Sequence, residues 1–367
     1  MINENILKNE ELAVFKLRSL YSKYGYTQYK MGKFEEYDLY VRNKDFLISD
    51  RVITFTDTNG KLLALKPDVT LSIINHLGNN SSVQKLYYNE NVYRVSGESK
   101  RFKEIMQTGL ECVGDIGIYE VCEVVSLAVK SLETIDKNYS LDISHAGLVL
   151  AYLKENGFNE ETVKTVTEYI SFKNEGAINN LFIEGKITKE QMRAAIKLIN
   201  NYDNIADAKN ALDIKNEETL KAFNEFEQVC NTLKALGLFD KVKINFSLAN
   251  NMHYYSGIVF KGYIQGIPTG VLSGGQYDAL MRKLKKNASA IGFAVYLDGF
   301  ERLNNLLPEY DVDIVLIADN NETPVNILRV TEELSKSGNR VLVTKTLPEK
   351  IRYKKAVDIN GKEILNA

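Results

Sequence analysis

Two β-rich runs, KLYYNENVYRV (85–95) and IMQTGLECVG (105–114), flank the polar, basic segment GESKRFKE, and this pair constrains the fold more than any other feature. Runs of this composition on either side of a polar loop pair as an antiparallel hairpin. A second hairpin is expected before it. There Asp57-Thr58-Asn59-Gly60 forms the turn between RVITFTD and KLLALKP. Pro67-Asp68-Val69-Thr70 reads as a helix entry, with Leu71, Ile74 and Leu77 on one face and Gly78 as the stop.

The remaining pattern extends this plan. Leu12, Phe15, Leu20 and Tyr21 stand at helical spacing between Glu10 and Tyr24, YTQYKMG is strand-like, and Tyr119–Ile135 reads as an amphipathic helix. YSLDISH is a strand running into another helix. From about 156 to 238 the chain becomes long, charged and helix-favouring, which marks a helical insertion. Strand pattern returns in VKINFSLA, YYSGIVFKGYI and TGVLSGG, and GFAVYLDGFERLNNLL reads as a closing helix. Pro308 marks a boundary. Beyond it lie the strand VDIVLIA, a helix over 324–337 capped by Gly338, and the strand RVLVTK. Adjacent strands before Pro308 imply an α+β fold, an antiparallel sheet flanked by helices. Two units are expected, 1–307 and a short α/β unit over 308–367.

Composition narrows the function. A formal net charge of -2 argues against a surface that coats nucleic acid. Cys112, Cys122 and Cys230 form no CxxC pair and only 3 histidines accompany them, so neither a disulfide frame nor a metal site is expected. The polar start, MINENILKNEELAVFK, lacks the apolar core of a signal peptide, and no apolar run reaches the length of a membrane span. The expected location is the cytoplasm.

Three segments, in this order and spacing, carry a family resemblance: TFTDTNGKLLALKPDVT (54–70), VYRVSGESKRFKEIMQTGLECVG (92–114), and NNMHYYSGIVF (250–260) with GVLSGGQYDAL (270–280). Together they resemble the catalytic domain of the histidyl-tRNA synthetase family, across roughly residues 10–307. The resemblance implies a class II aminoacyl-tRNA synthetase fold and a pocket for free histidine. Such a pocket must meet an ammonium, a carboxylate and both ring nitrogens. Those roles fall to Asp68 and Thr70 in KPDVT, Gln107 and Glu111 in MQTGLE, and Tyr254 and Tyr255 in HYY. Glu111 would accept from one imidazole nitrogen and a tyrosine hydroxyl would meet the other. Asp68 and Gln107 would hold the ammonium, and Arg94 the carboxylate. Read singly, the same residues are commonplace. Asp68 suits a helix cap, the tyrosines suit ordinary strand positions, and Gln107 with Glu111 suits one solvated strand face. The ordered set favours binding.

The resemblance also implies losses. Asn250 stands where the family places the arginine of its RGLDYY string, and Gln276 where it places the arginine of GGRYDGL. A gap-free match of the third motif puts Gly299 at its arginine, whereas a short insertion, under one helical turn, brings Arg302 there instead. Ser96 replaces a glutamate, and Gly32 a proline of the first motif. Adenylate formation depends on fixed cations, and each lost charged hydrogen bond costs about 1.5–3 kcal/mol. With Lys66-Pro67-Asp68-Val69-Thr70 kept and these arginines missing, the chain resembles the family's non-catalytic branch, the regulatory subunits of ATP phosphoribosyltransferase. That branch implies a short-form catalytic subunit as partner, free histidine as feedback inhibitor, no cofactor and no tRNA charging. It also implies a self-dimer within a hetero-octamer. An active but divergent synthetase and a stand-alone histidine sensor are the rival readings.

Overall fold

The computed structural model describes residues 7–43, 52–78, 82–95, 101–251, 254–303, 309–319 and 321–364. Pro308 and Ser96 lie outside these, as do the side chains of Asn250 and Arg302. The chain divides into a larger compact unit, Lys8–Leu303, and a smaller one whose described part is Leu7, 309–319 and 321–364.

The larger unit begins with α1 (Asn9–Lys23), which Gly25 ends in the left-handed region at φ 79°. There follow β1 (Thr27–Gln28), β2 (Phe34–Glu36), α2 (Tyr37–Val41), β3 (Thr54–Thr56), β4 (Leu62–Leu65), α3 (Thr70–His76), β5 (Gln84–Val95), β6 (Phe102–Gly114) and α4 (Ile118–Ile135). The turn at Asp57–Gly60 forms as its sequence demands, with Asp57 Oδ1 accepting from Asn59 N and Lys61 N, both at 2.8 Å. After β7 (Tyr139–His145) and α5 (Ala146–Glu155) comes the helical insertion. It holds α6 (Glu160–Ser171), α7 (Glu175–Ile183), α8 (Lys189–Ile199), the short β8 (Asn201–Tyr202), α9 (Ile205–Leu212) and α10 (Glu217–Ala235). Side-chain oxygens of Asn159, Asn174, Thr188, Asn204 and Asn216 cap its five helices in turn. The unit closes with β9 (Val242–Asn245), β10 (Ile258–Ile264), β11 (Leu272–Gln276), α11 (Asp278–Lys283) and β12 (Ser289–Tyr296).

The fold is α+β and class II synthetase-like. A nine-stranded sheet runs in the order β1-β5-β6-β12-β11-β10-β7-β9-β8, antiparallel except where β1 joins β5 and β9 joins β7. On one face Leu110 and Cys112 of β6, Phe293 and Val295 of β12 and Phe260 of β10 are buried in the main core. There α4 packs against α1, α10 and the strands, buried on every side from Val124 to Val129 rather than on one stripe. The opposite face carries small and polar residues in register. Gly109 and Glu111 of β6 lie beside Ala294 and Gly292 of β12, which in turn face Ser273 and Gly275 of β11. Their small size leaves room above the sheet for the cavity described below.

One expectation fails. The segment GFAVYLDGFERLNNLL does not begin as a helix, since β12 runs through Gly292–Tyr296 and only a short 3-10 helix follows at Phe300–Arg302. The strand alternates, with Phe293 and Val295 toward the helical core and Gly292, Ala294 and Tyr296 toward the cavity, and period two overrides the Ala and Leu content. VKINFSLA is also a strand only to Asn245 and continues as a 3-10 helix.

In the smaller unit, β13 (Val312–Ile317) lies between β14 (Val341–Thr344) and β15 (Tyr353–Asp358), all parallel, with α12 (Pro324–Ser335) joining the first two. Asp313 is held well below the usual carboxylate range by Arg340 first and Lys354 second. Among the described residues no helix is long and apolar enough to cross a membrane.

Leu132 of α4 is fully buried and sits where a Cβ on Gly262 of β10 would approach its Cδ1 to 2.7 Å. Leu132→Ala is expected to lower stability by about 2–5 kcal/mol in urea titration. A loss near zero would contradict this packing.

Candidate functional site

The hairpin β5–β6 provides the base of the site. Tyr88 pairs with Gly109, and a Cβ on Gly109 would fall on the Tyr88 ring and hydroxyl, so the glycine lets the tyrosine lie flat over the sheet. Gln107 and Glu111, at i and i+4 on β6, point to the same face, and both are almost wholly buried. Directly across from Glu111 on β12 is Gly292, where any side chain would occupy the space of the carboxyl.

The strap Lys66–Thr70 crosses above. Lys66 is completely buried and its Nζ donates to Glu90 Oε2 at 2.9 Å. Its backbone N–H donates to Lys33 O at 3.1 Å, and its carbonyl accepts from Tyr93 N at 2.9 Å. Arg94 Nε donates to Pro67 O at 2.9 Å. With the strap anchored, Asp68 Oδ1 accepts from Leu71 N at 2.8 Å, heading α3, while Asp68 also faces the cavity. Asp68 is neither the N-cap, which is Val69, nor a first-turn acid, but it bonds the first turn of α3 from one residue before the cap and lines the cavity as well.

All seven residues expected from the sequence, Asp68, Thr70, Arg94, Gln107, Glu111, Tyr254 and Tyr255, line one cavity of about 440 Å³. Thr70 Oγ1 donates to Glu111 Oε1 at 2.6 Å, and the Tyr277 hydroxyl donates to Glu111 Oε2. Tyr254 and Tyr255 pack edge to face with ring centres 4.7 Å apart, and Tyr254 also leans on Tyr277. Tyr88, Tyr277 and Tyr296 complete the polar wall. Sequence reasoning passed over these three. Tyr277 sits inside the GGQYDAL string, and that membership was the available signal.

Burial dominates the electrostatics of the site. Burial pushes the Glu111 carboxyl up to about 8, with its two hydroxyl donors opposing the shift and Asp68 adding to it. Burial also raises Asp68, against the pull of the Leu71 N–H and of Arg94. The surrounding tyrosine hydroxyls are raised further and stay protonated. Gln107 Nε2 is buried and meets no acceptor among the described residues. The cavity thus presents two carboxyls whose affinity for protons burial has raised, the cations Arg94 and Lys261, a ring of hydroxyls and an unmatched amide donor. A small zwitterion with an additional polar ring complements such a set.

Gln276 is nearly buried and does not line the cavity. Its Oε1 accepts from Ile258 N at 2.6 Å, so it serves as a structural clamp. The fold and site together define a class II aminoacyl-tRNA synthetase-like module. The histidyl-tRNA synthetase family model matches residues 3–300. An ATP phosphoribosyltransferase regulatory subunit from Clostridium kluyveri is 30% identical over 293 residues, covering 77% of this chain and 75% of the relative. A Bacillus halodurans structure of an ATP phosphoribosyltransferase regulatory subunit/histidyl-tRNA synthetase superposes with TM-score 0.77 at 22% identity, covering 95% of this chain and 93% of that one. An ATP phosphoribosyl transferase (HisG:HisZ) complex from Thermotoga maritima gives TM-score 0.64 at 22% identity, covering 79% and 98%. The chain belongs to the histidyl-tRNA synthetase family, in its branch of ATP phosphoribosyltransferase regulatory subunits.

Between pH 4.5 and about 8 the folded chain keeps a proton on Glu111 that the unfolded chain has released. The contribution of this group to stability therefore declines as pH rises through that window. The melting temperature of the ligand-free protein is expected to fall more steeply across it in the wild type than in Glu111→Gln. Identical profiles would contradict the buried, protonated carboxyl.

Proposed function

We propose that the cavity binds free histidine and that the chain is a non-catalytic regulatory subunit of ATP phosphoribosyltransferase. It would act in the cytoplasm on a short-form catalytic subunit and carry feedback inhibition of histidine biosynthesis. The observation that carries this reading is the set of buried polar groups gathered on one cavity, the carboxyls of Glu111 and Asp68, the Arg94 cation and the unmatched Gln107 amide donor. Histidine has an ammonium to offer Asp68 and Gln107, and two ring nitrogens to offer Glu111 and a tyrosine hydroxyl. Its carboxylate suits Arg94. A buried site built on such bonds rejects analogues that lack the polar groups.

The non-catalytic part of the proposal draws on Gln276. At the position where the family's synthetases carry an arginine, the side chain is committed to Ile258 N and has no freedom to meet a phosphate. The partner rests on the relatives. The Clostridium kluyveri protein is named a regulatory subunit, and the Thermotoga maritima structure is of a two-component complex. Regulation then follows from linkage, because histidine must bind the inhibited assembly more tightly than the active one. A self-dimer inside a hetero-octamer is the assembly proposed.

Mixing the full chain with a short-form catalytic subunit is expected to raise phosphoribosyl-ATP formation and make it sensitive to histidine. No change in rate or sensitivity would overturn the proposal. Histidine-dependent ATP–pyrophosphate exchange by the isolated chain is expected at background, and robust exchange would return the chain to the synthetases. Glu111→Ala is expected to weaken histidine binding by more than about tenfold in calorimetry, since it removes the hydrogen-bonding partner proposed for a buried ring nitrogen. Unchanged affinity would take Glu111 out of the site.

A further inference from the structure

A polar cluster stands behind the tyrosine wall, and none of its members lines the cavity. It consists of His145 at the end of β7, Glu225 in α10 and Gln276 at the end of β11. His145 Nδ1 accepts from Leu148 N at 3.0 Å and so heads α5. A neutral imidazole accepting through Nδ1 carries its proton on Nε2. That Nε2 is buried without a hydrogen-bond partner among the described residues and faces Glu225 Oε2 at 3.8 Å. Gln276 has its oxygen committed to Ile258 N, which leaves its amide NH2 for the same carboxylate. His145 first, and Gln276 after it, hold the Glu225 carboxyl below its usual range against the effect of burial.

The chain segment leading out of Tyr254 and Tyr255 runs between these groups. Ser256 N donates to the Gln276 carbonyl at 2.9 Å, and the Gly257 carbonyl accepts from Ala146 N at 2.8 Å. The Ser256 hydroxyl accepts from Asp278 N at 3.2 Å. A Cβ on Gly257 would fall on the Gln276 side chain, and one on Gly147 would come within 2.9 Å of the Ser256 carbonyl. The segment is packed on both sides, so a shift of His145 or Gln276 must move it.

We propose that Glu225 is a positioning residue that aligns His145 and Gln276, holds Ser256–Ile258 in place, and thereby sets the Tyr254–Tyr255 wall from within the helical insertion. The insertion is thus tied to the cavity by one carboxylate acting through two side chains. Any effect on ligand affinity rests on the histidine reading above, whereas the placement of the segment does not.

Amide hydrogen exchange on the ligand-free full chain tests the placement. Glu225→Ala is expected to speed exchange at Ile258 and its neighbours about tenfold, leaving the β5–β6 ladder unchanged. Glu225→Gln keeps an acceptor and is expected to restore most of the protection. Glu227→Ala, also in α10, which breaks the exposed pair with Lys209 of α9, serves as control and is expected to have no effect there. Unchanged exchange at 254–258 in Glu225→Ala, or an equal rise across the whole sheet, would overturn the proposal. Calorimetry with free histidine tests the route. Glu225→Ala is expected to raise Kd about five- to tenfold in the wild type and to add clearly less in a Gln276→Ala background, where only the route through His145 remains. Equal increments in both backgrounds would rule out action through Gln276. A wild-type chain that does not bind histidine would sink the functional reading, and the exchange data would still decide the positioning.

Discussion

The site depends on burying one carboxyl, Glu111, at the centre of the sheet. Desolvation makes a lone carboxylate there prohibitive, so the group must be protonated, bonded by donors, or both. The two donors come from separate parts of the chain, Thr70 at the head of α3 and Tyr277 just past β11. The space for the carboxyl exists because β12 has a glycine, Gly292, opposite it. One buried group thus dictates the relative placement of β6, α3, β11 and β12. It also places a buried hydrogen-bonding carboxyl on the cavity wall, in the same lining as Asp68 and Arg94.

A second buried charge sets the strap. Lys66 and Glu90 form an ion pair with the lysine fully enclosed, and pairs of this kind add little net stability while strongly penalising the loss of either partner. Their value is positional. With Lys66 bonded to Lys33, Glu90 and Tyr93, the strap has one place to lie, and it delivers Asp68 and Thr70 to the cavity while Arg94 of β5 bonds its Pro67 carbonyl.

Much of this was legible in the sequence, for identifiable reasons. Hairpins announce themselves locally, through Asp57–Gly60 and through the paired runs around GESKRFKE, and the insertion helices through their charge and spacing. The cavity residues lie in short strings whose order carries the family resemblance. What was missed depends on distant partners. The stretch from Gly292 looks helical in isolation and becomes a strand because β6 and β11 flank it. In the smaller unit β15 was passed over because YKKAVD is mostly polar, and parallel pairing with β13 decides its state. Tyr88 earns its place only through the missing side chain of Gly109. Likewise His145, at the end of the strand YSLDISH, and Glu225, inside the charged insertion, read as ordinary residues of their elements until the fold brings them together.

The central claim is that a histidine imidazole satisfies the Glu111 carboxyl. A crystal structure of the chain grown with free histidine tests it most directly. The account predicts a ring nitrogen within hydrogen-bond distance of Glu111, the ammonium against Asp68, and the carboxylate toward Arg94. Histidine bound elsewhere on the chain, with Glu111 still bonded only to Thr70 and Tyr277, would contradict it.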